Sequence, residues 1–197
     1  MSKGEETRAA ILDAALAQAS TAGFESLTIG TLAERTGLSK SGLFAHFGSR
    51  EELQVAAVEA AAARFTETVF LPALKARRGL PRIRALFEGW LDWTERNGLA
   101  GCPMQAAAVE FDDRPGQVRD AVLAHYKRLE QELGRAVELA IGQGHLRADL
   151  DVEQFVFDML GVIFAYYHSA RLFRREEAVA RARKAFERLI AAAAPAA

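Results

Sequence analysis

From Arg35 to Arg50 the sequence RTGLSKSGLFAHFGSR carries no acidic residue, while Lys40, His46 and Arg50 offer cationic or hydrogen-bonding groups suited to phosphate oxygens. A helix beginning at Ser39 and another beginning just before Arg50 add aligned backbone amides, which favour a nearby anion. A second chemistry is open to Cys102, which lies between Gly101 and Pro103 at the expected start of a helix. Free amides there stabilise a thiolate and raise its reactivity toward electrophiles or oxidants. No Lys or Arg stands within five residues of it, and free cysteines commonly serve as small packing residues. A third set is aromatic and apolar: Phe87, Trp90, Met104, Phe111, Tyr126, Phe164 and Tyr167, with His168 as a polar companion. Side chains of this kind line small-molecule pockets, and they equally fill cores.

Enzymatic chemistry is not indicated. There is no phosphate-binding glycine loop, no nucleophile elbow, no pair of histidines at helical spacing and no tight carboxylate pair. His125, His145 and His168 are far apart in sequence. The single cysteine excludes an internal disulfide and a multi-thiolate metal cluster, so neither metal nor cofactor is expected. The chain has 197 residues, half of them hydrophobic, with a formal net charge of -1 and a pI near 6.4. Such a balance argues against broad nucleic-acid binding and confines any DNA contact to a local patch. The N-terminal MSKGEETR mixes charges of both signs without an apolar core, unlike a secretory signal. The longest apolar run, Met159 to Tyr167, is well short of the ~18 residues of a membrane span. A cytoplasmic protein without membrane contact is the expectation.

Positioning those groups falls to helices throughout. Thr28 is a good N-cap, followed at helical spacing by Ile29, Leu32 and Ala33. Gly37 supplies a left-handed stop near Thr36, Leu38 plugs the corner, and Ser39 caps a second short helix that buries Leu43 and Phe47. Two helices about a turn containing glycine make a helix-turn-helix unit, whose second helix enters the DNA major groove. A helix from about Glu5 to Ala22, with Ile11, Leu12, Ala15, Leu16 and Ala19 inward, supplies its third wall. Further helices are expected from Ser49 to Pro72, with Ser49 and Glu52 as a capping box, then from Pro81 to Asn97 and from Pro103 to about Asp112. The last three run from Gln117 to Gln143, Val152 to Phe173 and about Glu176 to Ala192. The helix from Val152 is apolar nearly all round, which predicts burial on more than one side.

The run Thr28-Ile29, Leu32-Ala33, Gly37-Leu38-Ser39-Lys40, Leu43-Phe44, His46-Phe47, Ser49-Arg50 and Glu52-Leu53 closely resembles the DNA-binding segment of the TetR family of bacterial transcriptional regulators. The likeness covers about the first quarter of the chain at motif level, and the remainder in its helical layout. It implies an all-α protein with an N-terminal three-helix helix-turn-helix domain, residues 1–48, and a C-terminal helical ligand-binding and dimerisation domain, residues 49–197. It makes Lys40 and Ser41 candidates to read bases. The caps Thr28 and Ser39, with Phe44, His46 and Arg50, become candidates to position the DNA backbone. Phe44 stands where the family usually has Tyr, which removes a phenol donor. Gly42 cannot read a base by side chain, leaving more to Lys40 and Ser41.

The resemblance also implies a homodimer in which the last two helices of each subunit form a four-helix bundle. Phe186, Leu189 and Ile190, with no other evident partner, are assigned to that interface. The expected partners are therefore double-stranded DNA bearing a palindromic operator, a second copy of the chain and an unnamed small-molecule effector. The expected function is a ligand-responsive regulator, a repressor released from its operator by the effector. Some TetR-like regulators carry a Gly-Cys pair at a similar place, so a thiol-based electrophile or redox sensor acting through Cys102 is one alternative. A helical ligand-binding protein without DNA binding is another.

Overall fold

Side chains of Ser2, Thr28, Ser39, Ser49 and Asp151 cap five of the α-helices in the computed structural model, which describes residues 2–195. Helix α1, Lys3–Ala22, begins earlier than its apolar stripe suggests. Ser2 and Glu5 make a reciprocal box, Ser2 N to Glu5 Oε2 at 2.6 Å and Glu5 N to Ser2 Oγ at 3.3 Å, which extends the helix by two residues. A single 3-10 turn, Phe24–Ser26, leads to α2, Ile29–Thr36, where Thr28 Oγ1 accepts from Thr31 N at 3.1 Å. Gly37 ends α2 at φ 70 and ψ 15, a left-handed conformation that costs glycine nothing. Ser39 then caps α3, Lys40–Phe47, accepting from Gly42 N at 3.0 Å. Ser49 caps α4, Arg50–Phe65, through Glu52 N at 3.1 Å.

Pro72 does not end that helix directly. A π-helical turn, Thr66–Phe70, intervenes before the three-residue α5, Leu71–Ala73, which carries the proline in its first positions. The wider turn relieves the clash a proline ring makes with the carbonyl four residues back. The remaining helices are α6 Leu80–Arg96, α7 Pro103–Phe111, α8 Gln117–Gly142, α9 Val152–Tyr167 and α10 Ala178–Ala192, with a second π turn, His168–Leu172, after α9. The described residues form no strand, and none of their helices is long and apolar enough to cross a membrane.

Contacts divide the chain into two units at places other than 48/49: residues up to Thr66 with Thr94–Tyr126, and Glu67–Trp93 with Lys127 onward. The core of the first holds Ile11, Phe24, Leu27, Leu32, Leu43, Phe47, Leu53 and Val58, joined by Ala107, Phe111, Val118 and Val122 from α7 and the start of α8. Helices α7 and α4 thus pack with the helix-turn-helix, because their apolar stripes complete its core.

In the second unit α6 buries Ile83, Leu86, Phe87 and Trp90, and α10 buries Ala182, Phe186 and Ile190. Phe87 and Phe186 stack with centroids 3.9 Å apart and planes at 5°. Arg183 bonds the Glu88 carboxylate at 2.7 to 3.0 Å beside this stack, and Arg84 pairs with Glu187. The premise behind the interface assignment fails here: Phe186 and Ile190 have partners inside the single chain, and only Leu189 of the three stays half-buried. Helix α9 buries Phe155, Met159, Ile163 and Tyr167 but opens one stripe to solvent, where Phe157 is 71% exposed beside Gly161 and Ala165. It is therefore not covered all round within one chain.

Candidate nucleic-acid interface

Leu43 and Phe47 fix the orientation of α3 by entering the first unit's core. That leaves Lys40, Ser41, Phe44 and Ala45 on the outer face, with Phe44 54% exposed. Lys40 is the first residue of the helix and is exposed to solvent. Ser39 Oγ caps Gly42 N and lies 3.1 Å from Ser41 Oγ, which ties both hydroxyls to the helix start. Thr28 serves its own helix in the same manner. At the far end of α3, His46 is half-buried against Phe47, with ring centroids 6.2 Å apart. The Arg8 guanidinium sits 5.0 Å from the centre of the Phe47 ring, a cation–π contact. Arg8, His46, Glu52, Glu59 and Gln117 line an open groove at this end.

Arg50, at the start of α4, bonds the connector that precedes α2. Its Nε donates to Leu27 O at 3.0 Å, and its Nη2 to Glu25 O at 2.6 Å and to the Glu25 carboxylate at 3.0 Å. The other Glu25 oxygen accepts from Arg114 Nη1 at 2.8 Å. Two of the three guanidinium nitrogens thus bond the loop before α2, while the side chain as a whole stays 44% exposed. No local pattern of residues signals this clamp, nor Gln54, whose buried Nε2 donates to Phe24 O at 2.9 Å.

Residues singled out for a small-molecule site fall into both units. Phe87, Trp90 and Tyr167 are buried in the second, with Phe164 half-buried and His168 exposed, its Nδ1 3.3 Å from Phe164 O. Met104, Phe111 and Tyr126 instead pack against the first unit's core. Burial pushes the Tyr126 phenol well above its ordinary pKa, and Cys102 nearby adds to the shift. Cys102 is the N-cap of α7, without a side-chain cap bond, and is itself buried. Among the described residues, no group of three or more His, Cys, Asp and Glu could hold a metal ion.

Residues 11–57 match the sequence model of bacterial regulatory proteins of the tetR family. Residues 79–186, more than half of the chain, match that of the tetracyclin repressor-like C-terminal domain. The chain belongs to the TetR family. A TetR transcriptional regulator from Chloroflexus aurantiacus J-10-FL is 26% identical and superimposes with a TM-score of 0.85, over 97% of this chain and 96% of that one. A TetR-family regulator from Cytophaga hutchinsonii, 18% identical, reaches 0.85 over 98% of each chain. AibR, solved in complex with isovaleryl coenzyme A and operator DNA, is 23% identical with a TM-score of 0.68, over 82% of this chain and 85% of that one. No curated protein matches the sequence. The protein is thus a TetR-family transcriptional regulator with a DNA-binding helix-turn-helix, and members of this family are not enzymes.

Proposed function

We propose that this TetR regulator is a homodimeric repressor that leaves a palindromic operator when a small molecule binds its C-terminal helices. The observation that carries the reading is the outer face of α3: Lys40, Ser41 and Phe44 are exposed on a recognition helix that is capped by Ser39 and held in the core by Leu43 and Phe47. Lys40 and Ser41 would read bases. Thr28, Ser39 and His46 would sit near phosphates, and Phe44 would pack against the sugar-phosphate chain. Reading by two copies requires a two-fold axis.

The open stripe of α9 and the facing side of α10 favour the pairing surface. Phe157, Gly161, Val162, Ala165, Ala185 and Leu189 form a shallow, largely apolar groove with Asp158 and Arg181 at its margin. Small residues there let two helices approach closely, and a second copy would cover Phe157. Leu189 stays in this interface, while Phe186 and Ile190 support it from beneath.

For the effector, AibR is seen with a coenzyme A thioester and operator DNA. By analogy a small organic molecule is the effector class here. Trp90, Phe164, Tyr167 and His168, all of the second unit, are the residues that would meet it. A thiol-based response through Cys102 draws little support, because reactive cysteines are partly exposed in electropositive surroundings and this one is buried. The test is a gel shift on the DNA upstream of the protein's own coding sequence, repeated with isovaleryl coenzyme A and other thioesters as first probes. Specific retardation, relieved by a small molecule, supports the proposal; retardation that no operator sequence competes away sinks it.

A further inference from the structure

The connector between α1 and α2, residues 23–27, is a single 3-10 turn with its flanking residues, and it carries α2 and therefore the recognition helix. Two of its backbone amides, those of Phe24 and Glu25, are held from outside. Glu110, near the end of α7, accepts Phe24 N on Oε1 at 3.0 Å and Glu25 N on Oε2 at 2.8 Å. Both carboxylate oxygens are thus committed to backbone amides 86 and 85 residues away in sequence. Gly23 makes the approach possible. It adopts φ 77 and ψ 170, a region nearly exclusive to glycine, and a Cβ built there would fall on the Glu110 carboxylate. Arg114, just beyond α7, holds the Glu25 side chain that Arg50 of α4 also holds, and Gln54 takes Phe24 O.

We propose that Glu110 is a positioning residue for DNA recognition, its carboxylate a two-point latch through which α7 sets the place of the 23–27 connector and so of α2 and α3. Charge-assisted bonds to two adjacent amides fix direction as well as distance, which a single neutral bond does not. With Glu110 in place the connector has one seat. Without it, Phe24 N and Glu25 N must turn to water, and the α2–α3 pair loses a restraint just before its first cap at Thr28. Any movement of α7 is transmitted to the reading head through the same two bonds. The latch rests on the operator-binding reading above, since it has no purpose without sequence-specific binding.

Electrostatics alone predicts the opposite sign for its removal. Deleting a negative charge from the DNA-binding unit lessens repulsion of phosphate and strengthens binding. The test compares wild type, Glu110→Gln and Glu110→Asp on a specific operator and on unrelated DNA, with sedimentation mass and amide hydrogen exchange measured alongside. The latch predicts that E110Q keeps its fold and dimer mass, exchanges Phe24 and Glu25 amides faster, and binds operator about tenfold more weakly. Unrelated DNA should be bound equally or more tightly. E110D, which keeps the charge but shortens the reach, falls between. Operator affinity in E110Q equal to or above wild type overturns the latch alone. Loss of the folded dimer in both variants overturns it as well, making Glu110 a stability residue. A wild type without sequence preference overturns the operator reading beneath it.

Discussion

Replacing Phe186 by Ala separates a residue that holds one chain together from one that holds two chains together. In the structure Phe186 is 2% exposed and Phe87 is 0% exposed, with their rings parallel at 3.9 Å. Truncating a buried Phe to Ala costs ~3–5 kcal/mol through lost burial and the cavity left behind, and a ring pair adds ~0.5–1.5 kcal/mol beyond its area. The nearby ion pairs Arg183–Glu88 and Arg84–Glu187 are substantially exposed and cannot offset this, since such pairs contribute ~0–1 kcal/mol each. Against a typical total of ~5–15 kcal/mol, the loss is large. Urea unfolding followed by circular dichroism, at several protein concentrations, should show a clearly lowered midpoint. Sedimentation at temperatures where the variant is folded should show an intact dimer. Unchanged unfolding with a monomeric mass would place Phe186 at the subunit interface and refute the stacking argument.

Other perturbations probe the remaining elements. Phe157→Glu, which buries a charge if the α9–α10 face pairs with a second copy, should yield a monomer with weakened operator binding; an unaltered sedimentation mass would put the interface elsewhere. Lys40→Ala should change which operator variants are preferred in a binding selection, and retained preference would remove it from base readout. Arg50→Ala should weaken binding with little change in the dependence on salt, because two of its three guanidinium nitrogens bond within the chain; a salt slope lowered by about one unit would show a phosphate contact as well. Tyr126 keeps its proton when folded while the unfolded chain ionises, so stability should fall as pH rises past about 10, the ordinary tyrosine value. Tyr126→Phe should soften that fall in urea midpoints, and an identical profile in both proteins would refute it.

What the sequence disclosed was mostly what neighbouring residues decide among themselves. Thr28, Gly37 and Ser39 act on amides three residues away or on their own backbone angles, so α2, α3 and the turn between them were legible. The same local logic operates at Ser2 and Glu5, but the apolar stripe begins later and by itself points to a later helix start. An apolar stripe tells that a face is buried and not against what. Phe186 on α10 reads equally well as a contact with a second copy or with Phe87, and only folding selects the latter. The place of Arg50 in the motif is local information, while Glu25 and Leu27, which accept from two of its nitrogens, are joined to it by the tertiary fold. Glu110 carries no local signal of its contacts with Phe24 and Glu25. Its role depends on a glycine in α1's cap at a distant point of the chain. The aromatic residues from Phe87 to Tyr167 look like one set in the sequence, whose order does not report that α7 and the first part of α8 pack beside the helix-turn-helix.

Selection of bound sequences from a random double-stranded DNA library, followed by footprinting of the enriched sites, addresses the central claim most directly. If α3 of two identical chains reads DNA about a two-fold axis, the enriched sites are inverted repeats. Their half-sites should be separated by about one helical turn, ~34–36 Å, or a multiple of it, with protection on both and enrichment lost in Lys40→Ala. Enrichment of no sequence, or of a single unrepeated site protected by one chain, would contradict it.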